Sequence, residues 1–253
     1  SDELRKQGFS KDNKSQQPQI LIALIVTPDG FPVGYEVFSG NTFEGHTILP
    51  VVKTFIKQHN IERFTIVADA AMISNSNVEE LRAEGINYIV GARLGNIPND
   101  LLQRININLA RQDGKTIRLL TDKGYLICSF SSSRYRKDKY EMEKQIQQAE
   151  TLLKEPGKIK KIKFLKTENK EPSLNKKLIE RTTVLLGVKG YYTDLKESVA
   201  NNETIIARYH DLYKIEQAFR ISKNDLKTRP VFHFKEEPIK LHLLICFMAL
   251  VVS

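Results

Sequence analysis

The order of the apolar runs in the first third of the chain constrains its fold more than any other feature. Residues 19–26, QILIALIV, form an unbroken aliphatic run, and residues 31–38, FPVGYEVF, form a second. Pro28-Asp29-Gly30 stands between them as a turn signal, so the two predict a β-hairpin. Helical spacing follows over 47–58, with Ile48, Val51, Val52, Phe55 and Ile56 on the apolar side. A short buried strand over 64–68 ends at Asp69. Ser76 and Glu79 resemble a capping box that opens a helix running to Gly85, and 87–93 reads as another buried strand. Two strands followed by helix, strand, helix and strand predict an α/β fold: a mixed sheet with helices on its faces.

After Leu94 the texture changes. The patterns predict a helix within 98–111, a hairpin of 116–120 and 125–130 turning at Asp122-Lys123-Gly124, and a long charged helix over 134–154. The lysine-rich stretch 156–172 reads as a solvated loop and 182–188 as a strand. A helix is expected over about 203–225, ended by Thr228-Arg229-Pro230. A closing apolar helix begins near Pro238. The division this predicts is a core over 1–94 and 205–253, with an insertion containing β-strands, 95–204, before the last core helices. No repeat of fixed period is visible.

Composition narrows the class. Hydrophobic residues make up 41% and charged residues 27%, so a packed core is within reach. The formal charge of +9 suits an anionic partner, of which DNA is the common one. Cys128 and Cys246 are far apart and read as structural thiols rather than a zinc or disulfide framework. The apolar run 239–252 is short for a membrane span and reads as a buried helix, so no membrane partner and a cytoplasmic place are expected. The charged stretch 1–14 and the apolar end 247–252 both look interrupted, and the expectation is a fragment of a longer protein.

The candidate chemistry centres on Glu216. At about 100° per residue, Arg220, Lys223 and Lys227 fall within about 40° of it on one helix, and Tyr209 falls on the same face two turns earlier. One carboxylate, one phenol and three cations suit a metal ligand beside a phosphodiester. The plain alternative is an i,i+4 salt bridge of Glu216 with Arg220 on a solvated face. Asp69 stands at the carboxyl end of a strand, where ligands gather in open α/β sheets, and can hold Mg²⁺ through oxygen. Its alternatives are a turn residue or the phosphate acceptor of a signalling domain. Asn41, Thr42, Glu44 and His46 read as a turn with Thr47 capping the next helix. The lysines of 158–170 and the helix 134–154 are phosphate-binding candidates, though acids interleaved along the helix favour an ordinary solvated face. His59, His210, His233 and His242 show no metal-ligand spacing.

Tyr209, Glu216 and Lys223 within YHDLYKIEQAFRISK resemble the Y-x-x-R-x-x-x-E-x-x-x-x-x-x-K signature of a large group of bacterial insertion-sequence DDE transposases. The arginine position is Leu212, a departure that puts one backbone contact in doubt, with Arg220 as a partial substitute. GFSKDNK, VFSGNTFEGHT and TIVADAAMIS resemble the same group in the same order, so the likeness covers nearly the whole chain.

The resemblance implies an RNase H-like fold in which Asp69 matches the second catalytic acid and Glu216 the third. It implies two divalent ions, Mg²⁺ with Mn²⁺ as substitute, and one site for cleavage and strand transfer at the element ends. The implied partners are double-stranded DNA, as terminal inverted repeats and target, and a second copy in a synaptic dimer. The DNA contacts fall to Tyr209, Arg220, Lys223, Lys227 and Arg229. The first acid belongs on a strand before the hairpin. Asp2, Asp12 and Asp29 lack that setting, so the expectation is a first acid upstream of residue 1 and a chain inactive alone. Two other readings stand beside this one: a catalytically dead remnant that only binds DNA, and an unrelated α/β receiver built around Asp69.

Overall fold

The structure is a computed structural model that describes residues 4–7, 18–27, 31–42, 48–59, 65–69, 75–154, 162–168, 171–221 and 231–252. The chain forms two compact units, Ser1–Val90 with Ile206–Ser253, and Gly91–Ile205.

The first unit begins with the predicted hairpin. Strand β1 (Ile20–Val26) pairs antiparallel with β2 (Pro32–Ser39), Ile20 opposite Ser39 and Leu24 opposite Tyr35. The turn residues Pro28-Asp29-Gly30 lie outside the described residues. Thr27 closes the hairpin from its end, its N–H donating to Phe31 O at 2.8 Å and its Oγ1 accepting from Phe31 N at 3.1 Å. Pro32 opens its strand, a place where a missing N–H does least harm.

The charged stretch before β1 is not bare of structure. Lys6 and Gln19 exchange both backbone hydrogen bonds, at 3.0 and 3.1 Å, and Gly40 N donates to Leu4 O at 2.9 Å. Arg5 donates to His233 O at 3.3 Å and lies 4.5 Å above the Phe234 ring. Gly40 is required by this junction. A Cβ there would overlap the Gln19 carbonyl and stand 2.6 Å from Lys6 O. Because the obstacle is backbone, it cannot swing aside. Gly40→Ala is therefore expected to lower stability by about 1–3 kcal/mol, read as an earlier urea midpoint. An unchanged midpoint would show that the junction is loose.

Helix α1 (Ile48–His59) buries Leu49 and Val51, and β3 (Thr65–Ala68) buries Ile66 and Ala68. Helix α2 (Asn75–Ala83) buries Val78 and Leu81, and β4 (Asn87–Gly91) runs parallel to β3 with Thr65 opposite Asn87. Lys53 of α1 reaches Glu80 of α2 at 3.3 Å and Glu84, just past its end, at 3.0 Å. Ser76 stands inside α2 rather than before it, so it is not the N-cap of a capping box; the residues that precede Asn75 lie outside the described residues.

In the second unit, α3 (Asn99–Asn108) packs Leu101, Leu102 and Ile105 against the hairpin of β5 (Thr116–Thr121) and β6 (Gly124–Phe130). Helix α4 (Ser132–Leu153) is capped by Ser131 Oγ, which accepts from Arg134 N. The lysine-rich stretch contains a hairpin of β7 (Leu165–Glu168) and β8 (Glu171–Leu174), correcting its reading as a loop. Fully buried Phe164, just before β7, anchors it.

A second correction falls at 182–188, which is not a strand. Helix α5 (Lys176–Val184) is capped by Asn175 and runs through Thr182 and Thr183. Their hydroxyls donate to Leu178 O at 2.7 Å and Ile179 O at 2.9 Å, so the β-branched residues are satisfied within a helix. Gly187 then turns the chain at φ +75°, and β9 (Val188–Thr193) pairs antiparallel with β6. Cys128 is fully buried in this core, and burial pushes its thiol up to about 12, which keeps it an inert hydrophobe.

The chain then enters α6 (Asn202–His210), α7 (Leu212–Arg220) and α8 (Glu236–Val251). The single helix expected over 203–225 is broken at Asp211, which draws Lys214 to 3.2 Å and Arg208 to 3.7 Å. In the first unit α8 packs on β2, with Tyr35 and Phe247 rings 5.0 Å apart. It buries Ile239, Leu243, Cys246 and Leu250 but exposes Leu241, Leu244, Ile245 and Met248, so it is a one-sided helix rather than a buried one. Among the described residues no helix is long and apolar enough to cross a membrane.

Candidate active site

Three of the candidate side chains converge within the first unit. Asp69 follows the last residue of β3 and is exposed, and Glu216 stands exposed in the middle of α7. Tyr209 occupies the last turn of α6 and is half-buried. Its phenol is held above the ordinary value near 10, first by burial and then by the negative charges of Asp69 and Glu216. Two carboxylates from distant parts of the sequence therefore act on one phenol.

The break at Asp211 means that one straight helix does not carry Tyr209 and Glu216. Their proximity depends on how α6 and α7 meet, not on the 3.6-residue period alone. On α7 itself, Glu216 and Arg220 line an open depression of about 310 Å³ together with Tyr213 and Gln217. They do not form the ordinary salt bridge: among the described residues neither makes an ion pair. A carboxylate and a guanidinium left apart on one wall can each take an outside partner, a cation for the first and an anion for the second. Leu212, at the signature's arginine position, opens α7.

Lys223, Lys227 and Arg229 lie outside the described residues, as do Glu44, His46 and Thr47. Asn41 and Thr42 form the expected turn: Ser39 Oγ donates to Asn41 Oδ1 at 2.7 Å, and Thr42 N donates to Ser39 O at 2.9 Å. His242 packs on the His233 ring at 5.8 Å and touches Cys246 Sγ at 3.8 Å. Among the described residues, no three His, Cys, Asp or Glu side chains gather as a metal cage.

The pair Asp69 and Glu216 fits two oxygen ligands of a hard divalent cation. Both are exposed, neither makes an ion pair among the described residues, and the charge of each acts on Tyr209. Their charges also make a checkable pH effect. The folded chain favours the neutral phenol of Tyr209, so its contribution to stability is full below pH 10 and falls as pH rises above that value. Glu216→Gln and Asp69→Asn are each expected to bring the Tyr209 titration down, measured by ultraviolet absorbance against Tyr209→Phe. An unmoved titration in both variants would separate the phenol from the acids.

No curated protein matches the chain. A family model described as "Transposase DDE domain" matches residues 2–252. Members of that family carry out transposition, a nuclease and strand-transfer chemistry on DNA that generally depends on divalent metal. The chain belongs to the transposase DDE domain family.

Proposed function

We propose that the chain is the catalytic region of an insertion-sequence transposase in the subgroup with the Tyr-Arg-Glu-Lys signature. Its core, 1–94 and 205–253, is RNase H-like, and 95–204 is an insertion. Asp69 and Glu216 hold Mg²⁺, or Mn²⁺ in its place, during cleavage and strand transfer at the element ends. The observation that carries this reading is the match to the transposase DDE domain over 2–252, with Tyr209 and Glu216 at the signature spacing; the charges of Asp69 and Glu216 both acting to raise the Tyr209 phenol agree with it.

When bound, the metal supplies Lewis-acid stabilisation of charge developing on the phosphodiester. The chain's own residues do the rest. Asp69 and Glu216 fix the cation. Tyr209, kept protonated beside two negative charges, offers a neutral O–H to a phosphate oxygen. Arg220 on the same helix face as Glu216 holds the strand, joined by Lys223, Lys227 and Arg229. The partners are duplex DNA, as terminal repeats and target, and a second copy of the chain in the DNA complex.

The test is a titration of Tyr209 with and without metal. Millimolar Ca²⁺, a hard stand-in that stays in solution where the phenol titrates, is expected to lower the raised phenol, because a cation offsets the two carboxylates. The effect should vanish in Asp69→Asn and in Glu216→Gln. A phenol indifferent to metal would remove the proposed centre.

One observation favours a second reading, a chain that holds DNA without cutting it. Among the described residues only two carboxylates converge, whereas the family's chemistry takes three acids. Mn²⁺-dependent nicking of a repeat-end duplex by the chain alone, lost in Glu216→Ala, would exclude it. Salt-sensitive binding with no nicking would support it.

A further inference from the structure

The chain's net charge is not spread evenly. The second unit, 91–205, holds 23 of the 39 basic residues and 14 of the 30 acidic ones, a net +9. The first unit holds 16 of each and is neutral. The whole excess that suits an anionic partner therefore lies outside the unit that contains Asp69, Tyr209 and Glu216.

Helix α4 holds little of that excess, five bases against four acids, but it separates the two signs in space. Acids and bases alternate in its sequence, but the helix sorts them. Arg136, Lys137, Tyr140, Lys144, Thr151 and Lys154 fall within an arc of about 100°, with Lys154 as the C-cap. No acid falls inside that arc. Ala149, fully buried, points to the opposite side, where Met142 lies against Thr183 and Tyr135, though exposed, packs on the Phe130 ring.

Two of the four acids along the helix are committed elsewhere. Asp138 pairs with Arg134 at 3.3 Å and accepts from Gly187 N at 3.1 Å, and Glu143, at the stripe's border, pairs with Lys139 at 3.8 Å. The cations of the stripe are not committed. Among the described residues Arg136, Lys137, Lys144 and Lys154 make no ion pair, and all are exposed. Tyr140, 64% exposed, stands in their midst.

We infer that this face of α4 is a docking surface for the phosphate backbone of duplex DNA, separate from the catalytic centre. An acid-free row of unpaired cations avoids the repulsion that acids would add, and tyrosine and threonine hydroxyls are ordinary phosphate donors. From Arg136 to Lys154 the row extends about 27 Å at 1.5 Å per residue. That is less than one turn of B-DNA, about 34 Å, so the row fits against one side of a single duplex. The identity of the anion as DNA rests on the transposase reading; the sorting of charge on α4 does not.

The test uses the full chain and a fluorescein-labelled 20-base-pair duplex in EDTA, read by anisotropy between 50 and 200 mM NaCl. The triple variant Arg136→Gln, Lys137→Gln, Lys144→Gln is expected to flatten the log Kd against log salt slope by about 2–3. It should also weaken binding about 10²-fold at 100 mM salt. A control that removes three exposed cations of the first unit, Lys6→Gln, Lys57→Gln, Lys235→Gln, is expected to stay within about twofold of the parent, since counterion release needs contact.

Equal loss in both triple variants would overturn the assignment, as would no loss in the α4 variant. A parent chain that does not bind duplex would overturn it too. So would a single-stranded oligonucleotide bound more tightly and lost in Tyr140→Ala. If the triple variant loses its circular dichroism, Lys144→Gln alone decides, with a slope change of about 1 expected. Because the assay contains no metal, it reads the α4 surface whether or not Asp69 and Glu216 hold a cation, so the two fail or stand independently.

Discussion

Glu216→Gln or Asp69→Asn, placed in a transposase that carries this domain, is expected to lower strand cleavage about 10³-fold or more while leaving thermal stability nearly unchanged. The size follows from what a metal ligand does. Charge stabilisation by a bound cation contributes several kcal/mol, and each 1.36 kcal/mol is a decade in rate. The isosteric amides keep shape and some hydrogen bonding but remove the charge that holds the ion. Stability should be spared because both side chains are exposed and carry no ion pair among the described residues, and surface changes of this kind stay within about 0.5 kcal/mol. The measurement is a single-turnover cleavage rate beside a melting curve. Full cleavage in either variant would remove that residue from the centre. A lost rate accompanied by a lowered melting temperature would assign the effect to folding instead.

Arg118→Ala is expected to give the opposite pattern, a large stability loss in the second unit with the metal response of Tyr209 intact. Arg118 donates to Ala200 O at 2.6 Å, Leu195 O at 2.8 Å and Asn202 Oδ1 at 3.0 Å, and its guanidinium lies 5.2 Å from the Tyr125 ring centroid. Asn202 extends the clasp by donating to Thr116 Oγ1 at 3.0 Å. Removing the guanidinium orphans two backbone carbonyls in a part-buried setting, at about 1–3 kcal/mol for each unsatisfied group, not fully additive. A total near 3 kcal/mol corresponds to a melting shift on the order of 10 °C. Hydrogen exchange should rise first over 194–202. An ammonium cannot serve three divergent acceptors from one nitrogen, so Arg118→Lys should recover only part of the loss. A melting temperature equal to the parent's would mean that water serves those carbonyls equally well.

Charge shows how far composition can be read. The +9 is visible in the sequence and points to an anion. The sorting of charge on α4 is not, because the interleaved acids of 134–154 look like an ordinary solvated face until the buried side of α4 is known. The side that is buried is set by the packing of Ala149 and Met142, which are contacts made with remote residues.

Strands whose pattern is strong in itself were legible. The aliphatic runs at 20–26 and 65–68 and the hairpin about Asp122-Lys123-Gly124 stand where the patterning places them. The segment 182–188 was not, since β-branched residues favour a strand only when no local acceptor satisfies their hydroxyls, and here Leu178 O and Ile179 O do so in a helix. The lysine-rich stretch misled for the converse reason. Its charge reads as solvation, yet Phe164 draws it onto the core.

What the sequence determined by itself is therefore local and periodic: the alternation of strands and helices, the turn glycines, and the spacing of Tyr209, Glu216 and Lys223 along the chain. Those depend on a few neighbouring residues and on the period of each backbone form. What only the tertiary structure decided is which remote groups meet: Arg118 with 195–202, residues 4–7 with Gly40 and Gln19, and Asp69 with Tyr209 across 139 intervening residues. Such meetings are set by the packing of the whole chain, in which each contact is stabilised by many others, and no short window of sequence contains that information.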